Sequence, residues 1–399
     1  MIKKPACSAR PVDELGAIVI GGDYQGLGIV RSLGRRGIPV AVIDDEKSIA
    51  RFSKFTCLAE TAPSLRDARN LVTALLDFGR RHDLRGWVVY PTRDEHVAAL
   101  SQRRDELSQF FHVPTPRWET IRWLWDKRNT YCLAEHLGIP TPRTWYPRSA
   151  SELDQIDAHF PVALKPAIKE HFTYATKDKG WRADNPQQLR RLFERARKHI
   201  PTEEIMIQDL IPGDGTCQFS YCAFFKEGKP VASLAACRRR QHPIEFGRSS
   251  TFVETAELPI LGEYSERFLA AINYYGLVEV EFKRDPRDGQ YRLLDVNGRT
   301  WGYHSIGRRA GIDFPHLLFS DQINEPVEPC IGKAGVRWIR LTTDLPTGVI
   351  GILKGQIDGR AYLQSLRDFD EEAVFSFKDP LPGMAEIALI PYLAVKRGF

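Results

Sequence analysis

Two runs in the second half of the chain, LVEVEFKR (277–284) and YRLLDVNGR (291–299), alternate apolar and polar positions with the period of a strand. A Pro/Gly/Asp turn from Asp285 to Gly289 joins them, so the segment predicts a β-hairpin. Side chains alternate across a strand, which places Glu279 and Glu281 on one face and Asp295, Asn297 and Arg299 on one face of the partner. Where those faces coincide, hard oxygen donors cluster beside a guanidinium. Mg²⁺ with the phosphates of a nucleotide takes such a set. A solvated sheet face gives the same alternation.

The same pattern organises the rest of the chain. Ala17–Ile20 reads as a buried strand, GGDYQGLG (21–28) as a glycine loop, about Leu27 to Arg36 as a helix closed by Gly37, and Pro39–Ile43 as the next strand. That βαβ opening puts a loop at a helix N-terminus, where anions bind readily. Trp87–Tyr90 is a further strand, running into PTRDEH. Ligands of open α/β sheets gather beyond the carboxyl ends of strands, which makes Asp23, Arg51, Ser53, Thr92 and Asp94 candidate substrate contacts. His96 is expected on the surface. Val113-Pro114-Thr115-Pro116 reads as a linker. In the tail, WIRLTTDLP (338–346) reads as a strand and GRAYLQSLRDF (359–369) as a short helix.

Cations punctuate the middle of the chain. Lys127 opens an amphipathic helix to Leu137, stopped by Gly138 and Pro140. Val162 to Lys165 is a short apolar strand ending on a lysine. A buried ammonium needs a partner, and phosphate oxygens would serve. IMIQDLIPG (205–213) is another apolar strand, able to offer backbone groups to an adenine edge. Residues 167–182 read as a loop with one glycine and the cations Lys169, His171, Lys177, Lys179 and Arg182. A strand from about Val231 ends at Arg240, Gly247–Ser250 reads as a turn, and Thr251–Glu254 as a strand. Alternation puts Arg238 and Arg240 on one face; Arg240 and Arg248 are the anion-binding choices, against a reading as surface charges or structural ion pairs.

In this order the motifs resemble the ATP-grasp superfamily, in the branch of D-aspartate-ligase-like carboxylate–amine ligases, over about residues 116 to 310. The resemblance implies an α/β fold with a Rossmann-like pre-ATP-grasp domain (1–115), a two-lobed α+β ATP-grasp domain (116–320, small lobe about 144–210) and a C-terminal α/β extension (321–399). It implies ATP and one or two Mg²⁺ ions, with Mn²⁺ as a substitute, and small-molecule carboxylate and amine substrates. Lys127 would contact the nucleotide, Lys165 the phosphates, Lys179 a phosphate, Gln208 and Ile211 the adenine hinge, and Asp214 the ribose. Glu281, Asp295 and Asn297 would hold the metal. Arg299, Lys165 and Arg240 would stabilise the transferring phosphoryl. The family's glycine-rich loop is replaced here by the lysine-rich 167–182.

Composition narrows the alternatives. A hydrophobic content of 43% and charged content of 27% suit a soluble globular chain, and a net charge of +5 without a basic block argues against nucleic acid. Seven cysteines, an odd number without a CxxC pair, support neither zinc nor a disulfide framework. MIKKPACSAR lacks a signal-peptide core and IALIPYLAV is too short to span a bilayer, so a cytoplasmic protein without a membrane partner is expected, with a homodimer as one option. The glycines run G-G-x-x-x-G-x-G, off the dinucleotide fingerprint, yet an NAD-dependent oxidoreductase stays as an alternative, as does a non-catalytic ATP-binding protein. No Met-Lys dipeptide is present for biotin attachment.

Overall fold

The computed structural model describes residues 15 to 397 except 214, 244–246 and 248, with side chains to residue 392. Asp214 and Arg248, two of the sequence-predicted contacts, therefore lie outside the described residues.

Three sheets carry the chain. The first is parallel, in the order β3-β2-β1-β4, from β1 (Ala17–Ile20), β2 (Val40–Asp44), β3 (Thr56–Thr61) and β4 (Val88–Pro91). β1, β2 and β4 are buried along their whole length, as befits a parallel sheet covered on both faces, while the edge strand β3 is half-buried. The second is a four-stranded sheet in the order β5-β8-β6-β7, from β5 (Thr144–Trp145), β6 (Val162–Pro166), β7 (Trp181–Ala183) and β8 (Ile205–Asp209). Helix Pro186–Ala196 covers it through Leu189 and Phe193.

The third sheet has eight strands: β9 (Gln218–Lys226), β10 (Lys229–His242), β11 (Ser249–Ala256), β12 (Gly276–Arg284), β13 (Tyr291–Asn297), β14 (Cys330–Ile331), β15 (Arg337–Ile339) and β16 (Glu371–Glu372). They run β13-β12-β9-β10-β11-β15-β16, with β14 beside β10. Along β12, Val278, Val280 and Phe282 face helix Pro259–Ala271 and pack on Phe268 and Leu269. On the opposite face Leu277 joins a core shared with β1, β2 and β4 through Val19, Val42, Tyr90, Trp301 and Trp338. Glu279 and Glu281 continue that second face, so the strand leaves the core and enters a polar region within two residue pairs.

Four expectations are corrected. The stretch 338–346 is not one strand: β15 ends at Ile339 and a helix runs from Leu341 to Leu353 with Pro346 inside it. The run of β-branched residues imitates a strand, while Thr343 and Thr347 bury against the protein with helical spacing. The stretch 167–182 is not a plain loop, because Lys169–Thr176 is helical and Lys177 ends it with a left-handed backbone, φ +62°, where glycine is usual. His96 is fully buried in helix Asp94–Gln102, and burial holds its imidazole down to about 3, so it is neutral. Arg238 and Arg240 do not share a face, for the reason given below.

Among the described residues no helix is long and apolar enough to cross a membrane.

Candidate functional site

The three sheets meet at a cleft of about 350 Å³, within the usual range for small-molecule sites. Its acidic wall is the hairpin. Register pairs Glu279 with Asn297 and Glu281 with Asp295, so the two faces coincide. A bulge follows Glu281 and restores Leu293 to the core opposite Phe282. Asn297 Nδ2 donates to Glu281 Oε1 at 2.9 Å and lies 3.3 Å from Glu279 Oε2. Glu279 also accepts from Tyr303 (2.7 Å) and Ser220 (3.0 Å). Burial, and then the neighbouring Glu281, push the Glu279 carboxyl up to about 7. Burial acts on Glu281 in the same sense, but Arg238 at 3.4 Å, with Lys179 and Lys127 beyond it, holds that carboxyl below its usual range.

The cationic wall comes from short elements of other sheets. Lys127 is the first residue of helix Lys127–His136, which Asp126 caps, and its ammonium meets Asp295. Burial raises Asp295, yet Lys127 and Lys169 together keep it ionised. Lys165 leaves the apolar face of β6 for the cleft and donates to Gln208 Oε1 at 2.9 Å. Gln208 is itself held by Thr144 at 3.0 Å. Burial, with Lys127 nearby, draws the Lys165 ammonium down to about 8. Lys179 reaches the carbonyl of Gly247 at 3.1 Å and is likewise lowered to about 8, mainly by burial. Among the described residues six cations line the cleft (Lys127, Lys165, Lys169, Lys179, Arg238 and Arg299) against three carboxylates (Glu279, Glu281 and Asp295), a surplus that suits a polyanion.

Arg299 is clamped from the first sheet. Its Nε and Nη2 donate to Asp94 Oδ1 and Oδ2 at 2.7 and 3.0 Å, and Nη2 reaches Asn297 Oδ1 at 3.2 Å. Asp94 also meets the Lys169 ammonium. Burial opposes ionisation of Asp94, but these two cations hold its carboxyl far below the usual range. A carboxylate at the mouth of β4 thus sets two cations of the cleft.

Of the sequence-predicted set, Lys127, Lys165, Lys179, Glu281, Asp295, Asn297 and Arg299 line this one cleft. Gln208 touches it through Lys165, and the carbonyl of Ile211 accepts from Lys283 at 2.8 Å. Arg240 is a correction. Between Arg238 and Arg240 the β10–β11 register slips by one residue, and such a slip sends the next side chain to the other face. Arg240 instead makes a two-pronged bond to the buried Asp344 (2.9 and 2.8 Å) and stacks over Phe252. The cleft takes Arg238 in its place. In the first sheet Arg51 bonds to Thr61, Ser53 to Asp379 and Thr92 to the carbonyl of Ile20, while Asp23 caps helix Tyr24–Gly34. Tyr24 and Gln25, just after that cap, line the cleft. Sequence reading passed over both, whose only signal was a position next to chain segments already suspected, and it named Lys169 only as one of the cations of the 167–182 stretch.

The glycine loop is filled by protein. A Cβ on Gly28 would lie 2.6 Å from the His304 ring, and one on Gly21, at φ +91°, 2.2 Å from Thr92 Oγ1. The Gly22 amide donates to Asp44, and Arg93 pairs with Asp44 and Asp45. The acidic pair that a dinucleotide ribose would need is already engaged.

Among the described residues no three His, Cys, Asp or Glu side chains form a ready metal cluster. Glu281, Asp295 and Asn297 supply hard oxygen donors, too few to complete a coordination sphere alone. That donor set fits Mg²⁺ arriving with phosphate oxygens, since Mg²⁺ is commonly held by one or two carboxylates plus its substrate.

Solved structures share this architecture. The biotin carboxylase domain of Hydrogenobacter thermophilus 2-oxoglutarate carboxylase, solved with MgADP and bicarbonate, aligns with a TM-score of 0.65 at 13% identity, over 82% of this chain and 74% of its own. N5-carboxyaminoimidazole synthetase from Staphylococcus aureus, solved with ADP, gives 0.62 at 13% identity over 81% and 80%. At these identities the likeness shows a shared fold. A curated relative is the D-aspartate ligase of Enterococcus faecium, 24% identical over 356 residues, covering 84% of this chain and 83% of the relative. An L-amino acid ligase from Bacillus licheniformis aligns with a TM-score of 0.60 at 15% identity, over 79% and 77%. No family model matches the sequence.

Proposed function

We propose that the protein joins a carboxylate to an amine through an acyl phosphate, releasing ADP and phosphate. One observation carries the reading: cations from separate chain segments and the acidic face of one hairpin converge on a single cleft. Phosphoryl transfer asks for positioning and charge neutralisation rather than a protein nucleophile.

In this reading residues 1–115 form a Rossmann-like unit, 116–320 the ATP-grasp unit and 321–399 an extension. Lys127, Lys165 and Lys179 bind the phosphates of ATP, with Gln208 orienting Lys165. Ile211 borders the adenine. Glu281, Asp295 and Asn297 hold Mg²⁺ or Mn²⁺, whose positive charge neutralises phosphate oxygens when bound. Lys127, paired with Asp295 in this structure, would contact phosphate, and Asp295 would supply an oxygen to the metal. Arg299, fixed by Asp94, and Arg238 face the site where charge develops on the transferring phosphoryl. Tyr24 and Gln25 border the substrate end. The E. faecium relative makes amino acids, D-aspartate among them, the first substrates to try. ATP supply places this chemistry in the cytoplasm.

The test is coupled ADP release with Mg²⁺ and pools of amino acids and small carboxylic acids, followed by mass spectrometry of the product. Pool-dependent ADP and a product equal to acid plus amine less water are expected. ATP binding without ADP release across all pools would favour the non-catalytic reading, and a nicotinamide absorbance change would favour an oxidoreductase.

A further inference from the structure

Tyr24 lines the cleft from the start of helix Tyr24–Gly34, yet residues from the far end of the chain hold its ring. The Arg340 guanidinium lies 4.0 Å from the ring centre, and the buried Trp338 indole packs on it at 6.3 Å between centres. A Cβ on Gly302 would come within 2.5 Å of the Tyr24 hydroxyl. The phenol is therefore seated against the bare backbone of a second cleft residue. Guanidinium, indole and backbone fix where the ring stands, and with it one wall of the cleft.

Arg340 is buried behind that ring. Its Nη2 donates to Glu386 Oε1 at 2.7 Å, and Glu386, also buried, accepts from Thr342 Oγ1 at 2.7 Å. The Asp23 carboxylate, at the cap of the first helix, is 4.0 Å from Arg340 Nη2. Among the described residues Arg340 Nε has no hydrogen-bond partner. A buried ion pair adds little net stability, because both charges lose their water. What this pair supplies is a cation fixed in direction, whose face meets an aromatic ring in a dry site, where that attraction is strongest.

We propose that Arg340 is a positioning residue: through Tyr24 it sets the wall of the substrate end and restricts the site to a small acid. This inference rests on the ligase reading, in which Tyr24 borders the substrate. The cleft of about 350 Å³ must hold the triphosphate as well, so the space left for the acid depends on where an aromatic ring stands. Selection among acids that differ by a few atoms then comes from pocket shape.

Steady-state kinetics with the acid identified by ADP release test this. Arg340→Met/Glu386→Leu removes both charges at similar volume, so circular dichroism should match the wild type. The KM for the acid should rise at least about 10-fold, with kcat within about 3-fold, MgATP affinity by calorimetry unchanged, and longer acids gaining on the native one. In a Tyr24→Ala background the same double replacement should move KM by less than about 2-fold, because its effect passes through that ring. Arg340→Lys, which keeps the ion pair but offers the ring a smaller cation, should give an intermediate KM and decides the matter where the double variant does not fold. An unchanged KM overturns the proposal, and so does a rise that persists without Tyr24. A loss of kcat alone, as from less folded protein, also counts against it. A wild type that releases ADP with no acid sinks the ligase reading separately. The crystal structure of the Arg340→Met/Glu386→Leu variant then decides: a Tyr24 ring moved off Gly302 supports the positioning role, and a ring in its native place overturns it.

Discussion

Replacing Lys165 with methionine separates what this residue costs the fold from what it gives the site. The ammonium is drawn from 10.5 down to about 8, mainly by burial. That fall corresponds to about 3 kcal/mol against the charged form. The side chain is partly exposed to an open cleft, where solvent screens charge, so the penalty is taken as about 1–2 kcal/mol. The variant also loses the bond to Gln208, worth about 1 kcal/mol. Urea denaturation of Lys165→Met at pH 7 should therefore give a stability unchanged or raised by up to about 1 kcal/mol. The pH dependence has a definite sign. The folded value lies below the unfolded one, so the wild-type penalty is complete below pH 8 and fades as pH climbs toward 10.5. Any advantage of the variant should shrink between pH 7 and 10. Nucleotide affinity moves the other way: a charge-assisted bond to phosphate is worth about 1.5–3 kcal/mol, so calorimetry should show MgATP binding roughly 10- to 150-fold weaker. A variant destabilised by more than about 2 kcal/mol that binds MgATP normally would refute the reasoning.

Three further outcomes follow from the same geometry. Asp295→Asn should cut substrate-dependent ADP release by at least about 100-fold with an unchanged circular dichroism spectrum, because it removes charge at the metal oxygens and at Lys127; wild-type turnover would count against the metal role. MgATP affinity should fall above about pH 8, where Lys165 and Lys179 lose their protons, and a titration that instead strengthens between pH 8 and 10 would contradict the phosphate role. Arg240→Met should leave MgATP affinity in the folded fraction intact but destabilise the protein by about 3–5 kcal/mol, since Asp344, with no side-chain exposure, loses its counter-charge; a normal melt with impaired binding would return Arg240 to the site.

The hairpin was legible because two local signals agreed, period-two alternation and a Pro/Gly turn, and both acidic faces follow from that period. Lys127 and Lys165 were legible because each begins or ends a regular element. Arg240 was misplaced by a single extra residue in β10, an irregularity that composition does not announce. The helix at Lys169–Thr176 was hidden by its own chemistry, with no apolar stripe and a left-handed lysine where glycine would have marked the end. The partnership of Asp94 with Arg299 joins positions 205 apart in the chain, and no local pattern carries it. In the tail, a β-branched run spoke for a strand, and burial of Thr343 and Thr347 decided for a helix.

The seating of Gly28 against His304, together with the Asp94 clamp on Arg299, bears on how chains of this fold can be recombined. A chimera that exchanged residues 1–115 for those of another protein of this fold would have to import a partner for Arg299 and a first helix slim enough to lie on the 301–304 turn. A graft that ignores either contact would leave a buried guanidinium without its carboxylate or force the turn off its bed. Swaps that carry residues 24–28, 94 and 299–304 as one block should survive where cuts through the linker alone fail.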